Sequence, residues 1–462
     1  MQTQCNAQQF EFEGVGRRAV VAAFDGGAVS SDAGALLLSK ADRALGLIER
    51  FAGCFEDRRD PDLIEHSVKM LVGQRVLGLA LGYEDLIDHD ELRHDPLLGA
   101  VLGKLEPRRR PQCAALAGKS TLNRLERTPH NDRYHKIAHC AEAIEGLFVE
   151  VFLEAYALPP ERIVLDLDAT DDPVHGEQEG RFFHGYYGHY CYLPLYIFCD
   201  KHLLVAKLRP SNIDGAAGSL EELERVIGQI RSRWPQVQIV LRADSGFARD
   251  ALMTWCEANG IEYVFGLARN GRLEAEIAAE LQEAKRLCEE SSAKPARLFK
   301  DFVYRTLDSW SAARRVIGKA EHLPAGANPR FIVTSLSPAR WEARALYEEL
   351  YCARGDMENR IKEQQLDLFA DRTSSAAMRA NQLRLWFASM AYVLLNRLRE
   401  LALAGTELAN ATVGTIRLKL LKIGALVKTS VRRVRIAMAS GYPHQEVFAH
   451  AYGVLAQVGT SP

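Results

Sequence analysis

Ile163-Val164-Leu165-Asp166-Leu167-Asp168-Ala169-Thr170 is the stretch from which the rest of the chain is best read. It is β-branched and apolar up to Asp168 and breaks at Ala169-Thr170-Asp171-Asp172-Pro173, so it predicts a buried strand ending in a carboxylate. Downstream, Cys191 to Phe198 and Leu203 to Leu208 are apolar runs, and Asp200-Lys201-His202 between them makes a polar turn, the pattern of a hairpin. Ser219 with Glu222 three residues on reads as a capping box, and Leu223, Val226, Ile227 and Ile230 keep helical spacing up to Trp234-Pro235. Val237 to Ala243 is strand-like again, with Asp244 at its carboxyl end before Ser245-Gly246. Arg249 to Asn259 reads as a helix stopped by Gly260, and Ile261 to Leu267 as a fifth strand.

Three strands, a helix, a strand, a helix and a strand is the order of an α/β, RNase H-like core, with Asp168 on its first strand and Asp244 ending its fourth. Between Gly271 and Arg340 the pattern changes. Glu274 to Glu290 reads as a charged helix, and Arg297 to Arg305, Ala313 to Ile317 and Arg330 to Ser335 alternate like antiparallel strands, a β-rich insertion. A helix resumes near Trp341. Tyr351, Arg354, Glu358 and Lys362 fall at i, i+3, i+7 and i+11, one face at about 100° per residue. On an arbitrary helix such a face is a solvated set of ion pairs of about 0.3 to 0.5 kcal/mol each.

After this core, the chain resembles the DDE transposases of bacterial insertion sequences, in the branch marked by a Tyr, Arg, Glu, Lys signature. The match rests on Leu165-Asp166-Leu167-Asp168-Ala169-Thr170, on Leu241-Arg242-Ala243-Asp244-Ser245-Gly246-Phe247, and on Tyr351, Arg354 and Glu358 at their spacing, spanning roughly 163–371. The resemblance implies that Asp168, Asp244 and Glu358 are catalytic metal ligands. Asp166 is the rival for the first position, because residues two apart share a strand face, and Glu363 is the rival of Glu358. The family places its Lys seven residues after the Glu, where this chain has Gln365; Lys362, one turn after Glu358, stands in for it. The resemblance implies that Tyr351, Arg354 and Lys362 position phosphates and that Trp310, at an expected turn beside Arg314 and Arg315, stacks on an unpaired base, with a packed Trp as the equal alternative. Asp171 and Asp172 read as a solvated turn or helix cap.

Carboxylates suit such chemistry because two divalent ions about 3.5 to 4 Å apart activate the attacking oxygen and stabilise the leaving one at phosphorus. Hard oxygen ligands favour Mg²⁺, with Mn²⁺ as a substitute. The flanking cations suit phosphate better than the sugar of a two-carboxylate glycosidase.

The 462 residues allow two or three domains, and 58 basic against 60 acidic residues leave a net charge of -2, which excludes a globally basic DNA binder. Basic charge is local instead: Lys104 to Arg110, with Arg108, Arg109 and Arg110 as candidate DNA contacts, and the stretch from Leu401, where seven cations face only Glu407 and Glu446. The first 150 or so residues read as helices after two short strands near Phe10 to Phe12 and Ala19 to Phe24. Ser30 or Ser31 caps one helix, and Ile64, Val68, Leu71, Val72 and Leu79 mark another. Gly118-Lys119-Ser120-Thr121 lacks the first glycine of a phosphate-binding loop, Cys113 standing there, so ATP use is not indicated. Nine cysteines without close pairs read as reduced thiols, and His175, His184 and His189 as structural or solvated. The polar start and the eleven-residue apolar run Leu385 to Leu395 argue for a soluble, cytoplasmic protein with no membrane partner, and the resemblance implies a bacterial one, nucleoid-associated when bound to DNA.

The sequence therefore predicts a helical N-terminal region (1–158), which the resemblance implies binds element ends, the first part of the core (159–270), the insertion (271–340), core helices carrying the third carboxylate (341–400) and a basic C-terminal region (401–462). The activity that the resemblance implies is metal-dependent cleavage at terminal inverted repeats and transfer of the 3′ ends to target DNA, by a homodimer on paired ends. A nuclease without strand joining and a catalytically inactive, domesticated DNA-binding protein are the alternatives.

Overall fold

Alternation along Ile163 to Asp168 decides which side of a sheet meets which helices. The computed structural model describes residues 8–108, 113–127, 136–290 and 294–458, and its chain divides into two compact units. One unit contains 141–366 and 370–389; the other contains 1–140, 367–369 and 390–462.

The first of these is built on a nine-stranded sheet. From one edge its strands run His202–Lys207, Leu195–Cys199, Arg162–Ala169, Gln238–Ala243, Glu262–Leu267, Arg330–Thr334, Arg314–Leu323 and Ala296–Tyr304, with the short Gly326–Ala327 strand paired to Arg314–Leu323. Arg162–Ala169 is antiparallel to Leu195–Cys199 and parallel to Gln238–Ala243, which is in turn parallel to Glu262–Leu267. The strands expected in the insertion do not form a separate sheet. Arg330–Thr334 pairs with Glu262–Leu267 in antiparallel register and carries the rest of the β-rich segment outward on the same sheet.

Leu165, Leu167, Ile239, Leu241, Tyr263 and Phe265 face one way, onto Phe152, Leu223, Val226, Ile230, Leu252 and Met253 of the helices Ala141–Glu154, Ser219–Arg233 and Asp250–Ala258. Val164, Val240, Val264, Ile317 and Ile332 face the other, onto Leu346, Tyr347 and Leu350. Alternate residues along each strand thus carry two cores, as a period of two requires.

Several local expectations are corrected. Cys191 to Phe198 is not one strand: it splits into His189–Tyr192, in a three-stranded sheet with Phe182–His184 and Asp172–Pro173, and Leu195–Cys199 in the large sheet. Pro194 has no N–H to give a central ladder, which is why the run breaks there. The Ser219 capping box does not form. Gly218, at φ 75°, is the N-cap, Ser219 Oγ donates to the Ala216 carbonyl, and Glu222 pairs with Lys207 and Arg225. Ser30 and Ser31 cap no helix either; their hydroxyls donate to Asp95 and Asp32, and the helix Ala35–Leu45 starts from Gly34.

The second unit joins the two chain ends. Its helices include Ala35–Leu45, Val68–Ala80 and Gln445–Val458, and Ser67 accepts from Met70 N to cap the second. Ala33 N and Gly34 N donate to the carbonyls of Ile423 and Leu421, and the buried Asp32 accepts from Lys422 Nζ at 2.6 Å and Tyr83 Oη at 2.7 Å. The strands Ala425–Ser430 and Arg433–Met438 form a hairpin whose base pairs with Val29–Ser30. No helix among the described residues is long and apolar enough to cross a membrane.

Candidate active site

The parallel register aligns three rungs on the Val164 face: Val164 with Val240, Asp166 with Arg242, and beyond them Asp168 and Asp244 at the carboxyl ends. The middle rung gives the two aspartates different surroundings. Arg242 Nε and Nη2 donate to Asp166 Oδ1 and Oδ2 at 2.5 and 2.7 Å, a bidentate pair almost wholly out of solvent, and Nη1 donates to the Leu350 carbonyl at 2.6 Å. Asp166 is therefore taken up by a cation that also fastens the segment leading to Arg354 onto the sheet. Asp168 has no such partner on its own strand, and its Oδ1 accepts from Ala169 N.

Asp244 sits where the strand Gln238–Ala243 turns, and its Oδ1 accepts from Gly246 N at 2.8 Å. The turn fits only because the neighbouring strand offers a glycine: a Cβ on Gly266 would lie 2.6 Å from Tyr351 Oη and 2.9 Å from Ser245 N.

Glu358 lies on the helix Gly355–Lys362. The segment before it is not a uniform helix. A π-helical stretch, Leu346–Tyr351, and a tight 3-10 turn, Cys352–Arg354, precede it, and Glu363–Asp367 widens again. The expected single face at constant rotation is thereby altered, yet Arg354 and Glu358 remain one turn apart. Arg354 Nη2 donates to Glu358 Oε1 at 2.5 Å, and Nη1 stands 3.6 Å from Asp168 Oδ2.

Asp168, Asp244, Arg354, Glu358 and Lys362 all line one cavity of about 460 Å³. Burial pushes the Asp168 carboxyl up to about 7; Arg354 opposes this, while Asp244 and Glu358 add to it as like charges. Glu363, the rival to Glu358, is buried and pairs with Arg360. Tyr351 is not among the cavity residues; it packs on the second core, and burial raises its phenol. Gln365 lines the cavity and donates from Nε2 to the Asp171 carbonyl and to Asp172 Oδ1 at 2.9 Å. Asp172 is not a solvated turn. It is fully buried, its Oδ2 has no partner, and desolvation pushes its carboxyl up to about 8.

Trp310 is also elsewhere: 4% exposed, it packs edge-on against Tyr304 with the Arg314 guanidinium over its ring. Arg314 itself pairs with Asp250 and Glu257. Of the arginine run, Arg108 donates its backbone N–H to Glu65, which also holds Lys104, while Arg109 and Arg110 lie outside the described residues.

The sequence reading missed the far wall of the cavity. His184, Tyr186 and Tyr187 line it, carried by the hairpin of Phe182–His184 and His189–Tyr192, and Tyr186 is 87% exposed. His189 Nε2 lies 2.7 Å from Asp171 Oδ2, which ties the hairpin to the end of the first core strand. The available signal was the density of rings between Phe182 and Tyr190, punctuated by Gly185 and Gly188.

A family model described as "Transposase DDE domain group 1" matches residues 12–460. Among solved structures, the chain is similar to the piggyBac transposase in a cryo-EM synaptic complex with hairpin DNA, at 12% identity and a TM-score of 0.40, over 85% of this chain and 79% of that one. No curated protein matches.

Proposed function

The chain belongs to the DDE transposase family, and we propose that it cleaves DNA at the ends of an insertion sequence and transfers the 3′ ends to target DNA, with Asp168, Asp244 and Glu358 as the catalytic carboxylates. The family's chemistry is transposition on DNA with divalent metal ions. The observation that carries the finer reading is that three carboxylates from three distant segments line one cavity together with two cations, Arg354 and Lys362. An RNase H-like core is supported by the strand order, in which the third, second, first, fourth and fifth core strands lie side by side.

The donor set suits a hard divalent cation such as Mg²⁺ or Mn²⁺, which is held by a few carboxylates and substrate phosphates. Among the described residues no three His, Cys, Asp or Glu side chains close around one point, and Arg354 accounts for part of this, because it holds the Glu358 carboxylate. Asp168, Asp244 and Glu358 would hold the metal, which when bound activates the attacking oxygen and stabilises the leaving one. The chain's own groups do the rest. Arg354 and Lys362 offer positive charge to the backbone at the cut, fixing register without reading bases. Arg242 and Asp166 fasten the segment that leads into the Glu358 helix onto the strand. Because two ends are joined in one event, two copies of the active site act together, which favours a homodimer on paired ends.

Purified protein incubated with labelled DNA carrying element ends, with Mg²⁺ or with EDTA, tests the reading. Metal-dependent cuts at the boundary, with 3′ ends joined to a second DNA, are expected. Cuts that never lead to joining would make it a nuclease, and binding without any cut would make the carboxylates remnants.

A further inference from the structure

The middle of the hairpin of Ala425–Ser430 and Arg433–Met438 divides its side chains between an apolar and a basic face. Val427 is buried, and Val434 and Ile436 are half-buried on the same side. On the other side, Lys428 stands directly across from Arg435 and Ser430 directly across from Arg433, and all four are exposed. Arg432 and the fully exposed Val431 make the tip.

Two features of that face ask for a partner. Like charges directly opposite on a sheet destabilise it, and Lys428 faces Arg435 with no acid to relieve the pair: none occurs between Glu407 and Glu446. Nor does any of Lys428, Arg432, Arg433 or Arg435 make an ion pair among the described residues. The other basic segment differs, since Lys104 there is already neutralised by Glu65. A two-stranded ribbon is also one of the shapes that the major groove of duplex DNA admits.

We propose that this basic face is a duplex-DNA contact, the ribbon lying in the major groove with Lys428, Arg433 and Arg435 against backbone phosphates and the Val431–Arg432 tip leading. The proposal rests on the transposase reading and names which surface of the chain meets its DNA. The counter-charge missing from the face is supplied by phosphate, and the cross-strand repulsion is relieved on binding.

The test uses the full chain and a fluorescent duplex carrying an element end, with anisotropy read over a series of salt concentrations. The Lys428→Gln/Arg433→Gln/Arg435→Gln protein is expected to bind at least about tenfold more weakly near 0.1 M salt, and its plot of log K against log salt to lose about two to three units of slope, at roughly 0.9 per phosphate contact. A control, Lys285→Gln/Arg286→Gln on the helix Ala278–Glu290, is expected to keep both affinity and slope. Without DNA, Lys428→Gln alone is expected to raise the melting temperature, which shows that the hairpin still folds. Wild-type affinity and slope in the triple variant, or an equal loss in the control, would overturn the ribbon contact while leaving the transposase reading intact. Failure of the unaltered chain to bind any duplex would overturn both.

Discussion

Asp166 and Asp168 are two residues apart on one strand face, yet they have different partners. Asp166 is paired on both oxygens with Arg242, and removing one member of a buried pair typically costs about 3 to 5 kcal/mol because the other charge is left bare. Asp166→Ala and Arg242→Ala should therefore each lower the urea midpoint substantially. Asp168→Asn should not, because Asp168 is a largely desolvated carboxylate at the cavity whose ordinary charged form is disfavoured in the fold. The pH dependence follows from the same sign. Asp168 and Asp172 have folded values raised to about 7 and about 8, so the native state holds protons that the unfolded chain has released. Their contribution to stability is fully present below about pH 4 and is lost as pH rises through 7 and 8. In metal-free buffer, Asp172→Asn should flatten the fall in stability between pH 5 and pH 8 measured by denaturant titration; an unchanged slope would show that Asp172 is charged throughout.

At the scale of elements, the site depends on how closely three backbones approach. Gly266 lets its strand pass beneath the Asp244 turn and the Tyr351 phenol. Gly266→Ala should cost about 1 to 3 kcal/mol through overpacking, and Tyr351→Phe in the same chain should recover part of that by removing the nearest atom. Equal melting temperatures for the single and double variants would locate the strain at the Ser245 backbone instead. Much of this element arrangement was legible in the sequence. Five core strands and two helices followed from period-two and period-3.6 patterns, and three carboxylates that line one cavity were singled out by the strings around them. What escaped was set by tertiary partners: Pro194 splitting an apolar run and Gly218 displacing Ser219 as the cap, while between the two roles open to Trp310 its packing on Tyr304 is the one found. The Arg242 role and the aromatic hairpin were visible as residue types, but only the register shows that Arg242 faces Asp166 and that His184 and Tyr187 reach the cavity.

For the whole molecule, one compact unit is assembled from both ends of the chain. Asp32, Ala33 and Gly34 take their partners from residues 421–423, and Arg417 donates to the carbonyls of Leu79 and Ala80. A chain truncated after residue 402 should leave these groups without partners, so limited proteolysis is expected to cut within 8–108 far faster than in the full chain. Undiminished protection there would mean that the N-terminal helices hold themselves. The overall charge of -2 gives no general attraction to DNA, so binding must come from local surfaces and fall steeply with salt.

The most direct test of the central claim is end cleavage by Asp244→Asn. Asparagine keeps the oxygen that accepts from Gly246 and so preserves the turn, while the charge needed for a divalent ion is lost. The account predicts that this variant binds labelled element ends as tightly as the unaltered chain and cuts neither strand in Mg²⁺. Full-rate cleavage by it would contradict the assignment of the carboxylate cavity as the catalytic centre.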